Sequence, residues 1–357
     1  MGSAVTPSYN QKRNRQEQKL TAIDLFCGCG GLTAGLKQAG YHVLAGVEID
    51  QKARHTYALN HKEVWLAAED IRSADPDEIM KGLNLQSGDL DLLAGCPPCQ
   101  GFSRMRKLNK SRSVRDDRNA LIDEFARFAL VMKPKLIMME NVPGLADYYK
   151  FSSFRRSLER VGYSVIVEVL DVSKFGVAQR RKRLILSASR VGSPALAMES
   201  KKVLTVRKVI GHLPQAGCSG DLLHDFPEHR SERVQALILA IPKDGGSRID
   251  LPEEMQLECH KKSSGFKDVY GRMAWDAVAP TLTGGCFNPS KGRFLHPEEH
   301  RAITLREAAL LQGFPKNYKF EAKHGKGAIA LMIGNALPPP FIAAHACAMA
   351  ESIRKTV

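Results

Sequence analysis

The sequence lacks the features that would place the protein in a membrane or around a metal ion. None of its apolar runs comes near the roughly 18 residues that a membrane-spanning helix needs. Its first segment has no apolar core of the kind found in secretory signals. The histidines show no spacing to one another or to a cysteine that we interpret as a metal site. We therefore expect a cytoplasmic protein without a metal and without a membrane partner.

The cysteines do not indicate a disulfide framework. In a chain without an export signal, reduced thiols are expected. The pairs in Cys27–Cys29 and Cys96–Cys99 could together form one zinc site, but two prolines fill the second pair. We interpret Cys27 and Cys29 as small packing residues and Cys96 as a buried structural thiol. The chain has eight cysteines, at positions 27, 29, 96, 99, 218, 259, 286 and 347.

Acidic residues are too few to balance the basic ones. The chain has 52 Lys and Arg against 38 Asp and Glu, a formal net charge of +14. Such a surplus attracts a polyanion, so nucleic acid is the expected partner, although a basic surface that binds nothing remains the alternative. Residues 1–19 are basic and polar without periodicity, and we predict a disordered basic tail there.

Apolar runs of strand length alternate with amphipathic stretches from Leu20 to Ser189, which predicts an α/β fold with a mostly parallel central sheet. One amphipathic helix is predicted over Asn119–Met132, where Pro134 ends the pattern. The predicted strands are Ala22–Phe26, Val43–Ile49, Val64–Ala68, Leu90–Ala94, Leu136–Met139, Val165–Leu170 and Leu184–Leu186.

After Ser189 the sequence changes to short basic pieces punctuated by glycine and proline, which suggests a domain boundary near residue 190. Helical patterning returns at Thr304–Leu311 and Pro340–Ile353. The stretch Val206–Leu213 is expected to pack against the first domain.

Chemistry-bearing residues follow the first three strands. A glycine-rich turn in Asp24–Leu32 leads into a helix, Glu48 and Asp50 stand at the end of the second strand, and Asp70 follows the third. Acidic strand ends after a glycine loop suit the ribose and adenine of a nucleoside cofactor. Each acid could instead cap a helix. A nicotinamide oxidoreductase is the other alternative, but the glycine spacing does not match G-x-G-x-x-G.

The fourth and fifth strands lead into the most informative blocks, GCPPCQGFS around Cys99 and ENVPG beginning at Glu140. Two prolines fix the backbone before Cys99, which suits a positioned thiolate, while glycine and serine after it permit a mobile loop. A segment rich in lysine and arginine follows, and its side chains could contact a phosphate backbone: Arg104, Arg106, Lys107, Lys110, Arg112, Arg115 and Arg118.

These blocks, taken in order from about residue 21 to 350, resemble the cytosine-C5 DNA methyltransferase family in its bacterial form. The resemblance implies S-adenosyl-L-methionine as cofactor and a Rossmann-like catalytic domain. The matching blocks are DLFCGCGGL, VEID, EDI, GCPPCQGFS, ENVPGL, the Gln-x-Arg-x-Arg block beginning at Gln179, TLREAALLQGFP and IGNALPP.

The resemblance also implies roles for individual residues. Cys99 would add to carbon 6 of cytosine, and Glu140 would act at N3 and the exocyclic amine. Arg183 would contact O2 of the base, with Arg181 supporting the same site. The target base would be flipped out of the duplex. The expected cofactor-binding residues are Phe26, Gly28, Gly30, Gly31, Leu32, Glu48, Ile49, Asp70, Ile71, Pro98, Asn335 and Ala336.

The domains implied are a catalytic domain over 20–189, completed by 327–357, and a target-recognition domain over 190–326. Some of the basic residues of this second domain are expected to contact phosphates and base edges: Lys201, Lys202, Arg207, Lys208, Lys261, Lys262, Lys267, Arg272, Lys291 and Arg293. The target sequence cannot be read from this region.

Double-stranded DNA is the partner that the resemblance implies, and family members commonly act as monomers. No protein partner is implied. The tRNA-methylating branch of the same family is the alternative, but its Cys-Phe-Thr signature is only partly matched by Cys286–Asn288. A catalytically idle, cofactor-sensing DNA-binding protein is the other alternative, and intact Cys99, Glu140 and Arg183 argue against it.

Overall fold

The structure is a computed structural model that describes residues 19–98, 121–256 and 268–354. Most of the predicted basic tail, Cys99 and the cation-rich segment after it lie outside these ranges, as do Lys261, Lys262 and Lys267.

Seven strands form one sheet in the order β3-β2-β1-β4-β5-β7-β6. Only β7 runs against its neighbours, pairing antiparallel with β5 and β6, while the pairs among β1 to β5 are parallel. The predicted α/β fold with a mostly parallel sheet is therefore confirmed. The strands are β1 (Thr21–Leu25), β2 (His42–Val47), β3 (Trp65–Ala68), β4 (Leu92–Gly95), β5 (Leu136–Asn141), β6 (Ser164–Asp171) and β7 (Lys182–Ser189).

Helices cover both faces of the sheet because alternate strand residues point to opposite sides. Ile23 and Leu25 pack in a core with α3, α4 and α5, whereas Ala22 packs in a second core with α1 and α10. The helices are α1 (Gly31–Gln38), α2 (Gln51–Asn60), α3 (Pro76–Gly82), α4 (Leu121–Met132), α5 (Tyr149–Arg160), α6 (Val206–Ile210), α7 (Glu232–Ala240), α8 (Leu305–Leu311), α9 (Gly325–Asn335) and α10 (Pro339–Arg354).

The second half of the chain is built differently from the first. Between residues 190 and 304 the described part of the chain has short helices, turns and isolated bridges in place of strands. Val206 and Ile210 are buried in a third core, together with Ala34 and Ala178 from the first half. The N–H groups of Val206 and Arg207 donate to the carbonyls of Ala277 and Trp275, which also belong to the second half, so the packing of this stretch against the first domain stays a prediction.

One basic residue of the second half is not available to nucleic acid. The Arg272 side chain is fully buried, and its guanidinium donates to the carbonyls of Ile238, Ile241, His296 and Glu299. The expectation that basic residues of this region contact DNA is therefore corrected for Arg272. The sequence shows only that this residue is a cation. The fold shows that its guanidinium is hydrogen-bonded within the protein.

Ala322–Arg354 is the one segment of the described residues that is long and apolar enough to cross a membrane, with a mean hydropathy of 1.4. No such segment was expected from the sequence. The segment contains both α9 and α10, and 56% of its most apolar window is buried within the protein. Ile329 of α9 and Phe341 of α10 each lie in a core. A pair of core helices explains this segment.

Candidate active site

The strand order reverses between β1 and β4, and the turns after these two strands lie at the same edge of the sheet. In open parallel sheets, ligands bind at such a reversal, beyond the carboxyl ends of the strands. After β1 the backbone turns sharply, with positive φ at Phe26 (62°), Gly28 (55°) and Gly30 (97°). These three residues belong to the turn that leads from β1 into α1, which we call the glycine loop (Phe26–Gly31).

Glu48 ties the glycine loop to the end of β2. Its carboxylate accepts the backbone N–H of Gly28 at 2.8 Å and that of Asp50 at 2.8 Å. Burial raises the pKa of Glu48 above its ordinary value. Next to it, the Ile49 side chain is 59% exposed, an apolar surface on which a flat ring could rest.

The alternative interpretation of these acids as helix caps holds for only one of them. Asp50 caps α2, because its carboxylate accepts the N–H of Ala53 at 2.8 Å. Asp70 instead pairs with the Arg72 guanidinium, and that hydrogen bond lowers the pKa of Asp70. Glu48 caps no helix.

A single cavity of about 840 Å³ joins the glycine loop to the ends of β4 and β5. This volume lies in the range of small-molecule sites. Gly30 does not line the cavity, but the other predicted cofactor residues do: Phe26, Gly28, Gly31, Leu32, Glu48, Ile49, Asp70, Ile71, Pro98, Asn335 and Ala336. Glu140, Arg181 and Arg183 line the same cavity.

Glu140, the candidate proton donor, is buried at the end of β5. Its Oε1 lies 2.7 Å from Nε of Arg183, and its Oε2 accepts the thiol proton of Cys96 at 3.1 Å. The contact with Arg183 is an ion pair without the alignment of a hydrogen bond, so Oε1 has no hydrogen-bond partner. Burial raises the pKa of Glu140 and outweighs the opposing effect of Arg183.

Arg181 connects the start of β7 to the second half of the chain. One terminal nitrogen donates to the carbonyls of Leu282 at 3.2 Å and Gly334 at 2.9 Å. Burial and the neighbouring Arg183 lower the pKa of Arg181 to about 9, which still leaves it charged at neutral pH. Its buried Nε has no hydrogen-bond partner.

The predicted nucleophile Cys99 lies outside the described residues, but the residues before it do not. The Asn141 side chain donates to the carbonyl of Pro97 at 2.8 Å. Pro97 and Pro98 line the cavity. The turn after β4 is thus attached to the block that carries Glu140.

Several residues make contacts at this site that the sequence did not predict. Cys96, predicted to be only structural, contacts Glu140. Gln179 accepts the N–H of Leu282 and donates to Gln312, which in turn donates to the Ala336 carbonyl at 2.5 Å. No sequence signal links these positions, because the partners are far apart along the chain.

Solved structures share this fold. A protein from E. coli, described as a DNA modification methyltransferase encoded within a prophage, superposes with a TM-score of 0.69 at 24% identity, over 94% of this chain and 100% of that one. The methyltransferase EhMeth of Entamoeba histolytica gives 0.60 at 16% identity, over 95% and 99%. The chain therefore has the fold of the α/β methyltransferases.

The sequence comparisons give the family. Residues 20–351 match the family described as C-5 cytosine-specific DNA methylase. The Type II methylase M.HgiDII of Herpetosiphon aurantiacus is 39% identical over 88% of this chain and 91% of its own. The Type II methyltransferase M1.HphI of Haemophilus parahaemolyticus is 32% identical over 94% and 87%. The chain belongs to the C-5 cytosine-specific DNA methylase family and is a bacterial-type DNA (cytosine-5-)-methyltransferase.

Proposed function

We propose that the enzyme methylates carbon 5 of cytosine within a specific double-stranded DNA sequence, using S-adenosyl-L-methionine, a covalent adduct between Cys99 and carbon 6, and base flipping. The observation that carries this proposal is the shared cavity. Residues of the glycine loop line it together with Glu48, Glu140 and Arg183. A methyl donor and a target base must meet in such a space.

The residues at the loop end fit an adenosine-type cofactor. The Glu48 carboxylate is oriented by two backbone N–H groups, and each of its oxygens can still accept a ribose hydroxyl. The exposed face of Ile49 suits adenine, and Asp70 suits its exocyclic amine. S-adenosylmethionine, when bound, supplies an electrophilic methyl group.

The protein residues supply the rest of the chemistry. The Cys99 thiolate forms a bond to carbon 6, and the displaced electron pair makes carbon 5 nucleophilic. Glu140 gives a proton to N3, which neutralises the charge that develops there; its raised pKa favours the protonated form that this step needs. Arg183 binds O2 of the base. Methyl transfer would leave S-adenosylhomocysteine. Solvent then takes the C5 proton, the bond between Cys99 and carbon 6 breaks to release the thiolate, and N3 returns its proton to Glu140, which restores the ring.

The remaining features of the proposal concern partners and organisation. Residues 20–189 with 327–357 form the catalytic domain, and 190–326 form the target-recognition domain. The enzyme is a cytoplasmic, nucleoid-associated monomer without a membrane or protein partner, and it acts in restriction-modification. The names of the Type II relatives support the last point.

Bisulfite sequencing of an unmethylated plasmid, after incubation with the purified protein and S-adenosylmethionine, tests the proposal. We expect protected cytosines in one short sequence context. Cys99→Ala and Glu140→Gln should abolish or greatly reduce protection, by about a hundredfold or more for loss of acid catalysis. Glu159→Gln, which changes an exposed glutamate paired with Arg155, is the matched control and should act like the wild type.

A parallel reaction on unmethylated tRNA separates the two branches of the family. Protected cytosines in tRNA, with none in the plasmid, would contradict the DNA substrate. Protection by Cys99→Ala would contradict the covalent route.

A further inference from the structure

A buried chain of hydrogen bonds reaches the glycine loop from the side away from the cavity. The Tyr318 hydroxyl donates to the carbonyl of Cys29 at 2.6 Å. Nε2 of His61 lies 2.9 Å from the Tyr318 hydroxyl and 3.3 Å from the carbonyl of Gly30, and its Nδ1 lies 2.8 Å from Nζ of Lys37. His61 and Tyr318 are both buried, and neither lines the cavity.

The chemistry of the groups sets the direction of this chain. A charged Lys37 has no lone pair and can only donate, so Nδ1 of His61 must accept and Nε2 must carry the hydrogen. Nε2–H then donates to the Tyr318 oxygen, whose own hydrogen goes to Cys29. Burial and Lys37 lower the pKa of His61 to about 4, which keeps the ring neutral as this arrangement requires. Glu63 pairs with Lys37.

The contact between this chain and the loop is tight. Gly30 has a φ of 97°, and a Cβ placed there would lie 2.5 Å from Nε2 of His61 and 2.5 Å from the Tyr318 hydroxyl. The loop therefore rests directly on the two side chains. Since a peptide unit is planar, holding the carbonyls of Cys29 and Gly30 also sets the N–H groups of Gly30 and Gly31.

We propose that His61 and Tyr318 are positioning residues that hold the glycine loop in its cofactor-binding conformation. The inference rests on the proposed use of this loop for S-adenosylmethionine. Tyr318 follows α8 and is 289 positions from Cys29, so this residue of the second half contributes to cofactor affinity without lining the cavity itself.

Calorimetric titration with S-adenosylhomocysteine tests this role. Tyr318→Phe removes one hydroxyl and should raise the dissociation constant about tenfold, the effect of one lost hydrogen bond. His61→Ala should do the same, and His61→Gln, which can still accept and donate, should recover part of the loss. Tyr163→Phe is the matched control, because the buried Tyr163 hydroxyl donates to the Pro134 carbonyl away from the loop.

Steady-state kinetics distinguishes positioning from a purely structural role. For Tyr318→Phe we expect a raised KM for S-adenosylmethionine, with kcat at saturating cofactor and the KM for DNA close to those of the wild type. If Tyr318→Phe bound S-adenosylhomocysteine like the wild type, or lowered kcat without changing the cofactor KM, the positioning role would be wrong. The proposed cofactor would not be affected by that result. A wild-type protein that does not bind S-adenosylhomocysteine would overturn the proposed cofactor as well.

Discussion

At the scale of single residues, the surroundings of Glu140 determine how it can act. Burial raises its pKa, while Arg183 and the Cys96 thiol oppose that rise because both favour the charged carboxylate. The pKa of Cys96 is itself raised well above its ordinary value by burial and by Glu140. Cys96 therefore stays a thiol at neutral pH and donates to Glu140 instead of serving as a second nucleophile.

Cys96→Ala should shift the pH dependence of methylation. Loss of the S–H donor removes a group that stabilises the charged Glu140, so the pKa of Glu140 should rise further. If protonated Glu140 is the active form, the alkaline limb of the kcat profile should move to higher pH. Cys96→Ser keeps a donor and is the control, with a limb near that of the wild type. Identical profiles for the wild type and Cys96→Ala would contradict this account of Glu140.

At the scale of elements, two glycines of α1, Gly31 and Gly35, allow this helix to pack closely against α10 and the residues just before it. A Cβ at Gly31 would lie 2.5 Å from the Leu337 carbonyl, and one at Gly35 would lie 2.6 Å from Cβ of Ile342. The backbones can approach closely only because these side chains are absent. This contact brings the Asn335 block next to the glycine loop.

Gly35→Ala should destabilise the fold through this contact. Overpacking of a tight interface costs about 1–3 kcal/mol, measured as the free energy of unfolding in urea. Gly327→Ala is the matched control, because a Cβ at Gly327 in α9 meets nothing within 4 Å. That change should be neutral or stabilising by up to about 1 kcal/mol. Equal stabilities of the two variants would show that α1 does not need the close approach.

At the scale of the whole molecule, the charge of +14 is not all on the surface. Arg272 is enclosed in the second half, where it also contacts Nδ1 of His300, and Arg293 donates to the carbonyls of Gly245 and Arg272. The described residues of this half form no strand beyond isolated bridges, so buried guanidinium groups satisfy carbonyls of its irregular backbone. Part of the basic surplus is structural.

Arg272→Met should therefore lower stability by roughly 2–4 kcal/mol, because it leaves several buried carbonyls without donors. The melting temperature measures this loss. Lys202→Met, at an exposed position, is the comparison and should melt close to the wild type. If Lys202 contacts a phosphate, Lys202→Met should weaken DNA binding in low salt. An Arg272→Met protein with normal melting and weakened DNA binding would contradict the structural role.

The sequence by itself determined the family, the enzyme class and the strand and helix pattern. Every described residue that it indicated for the cofactor or for catalysis lines the cavity except Gly30, but the lining also includes residues that it did not indicate, such as Lys52 and Leu331. These are local properties: each strand end and its following turn form one short segment, so a block such as Asp24–Leu32 carries its own signal. The roles of Cys99, Glu140, Arg181 and Arg183 stay predictions until the variants are assayed.

Only the tertiary structure decided which distant residues meet. In the tertiary structure β7 runs antiparallel to β5, and the Cys96 thiol donates to Glu140. Arg272 is buried among backbone carbonyls, and the Tyr318 hydroxyl donates to the glycine loop. These contacts join positions that are 24 to 289 residues apart. A local pattern records polarity and spacing, whereas such contacts depend on how the layers pack, and burial then determines each group's charge and partners.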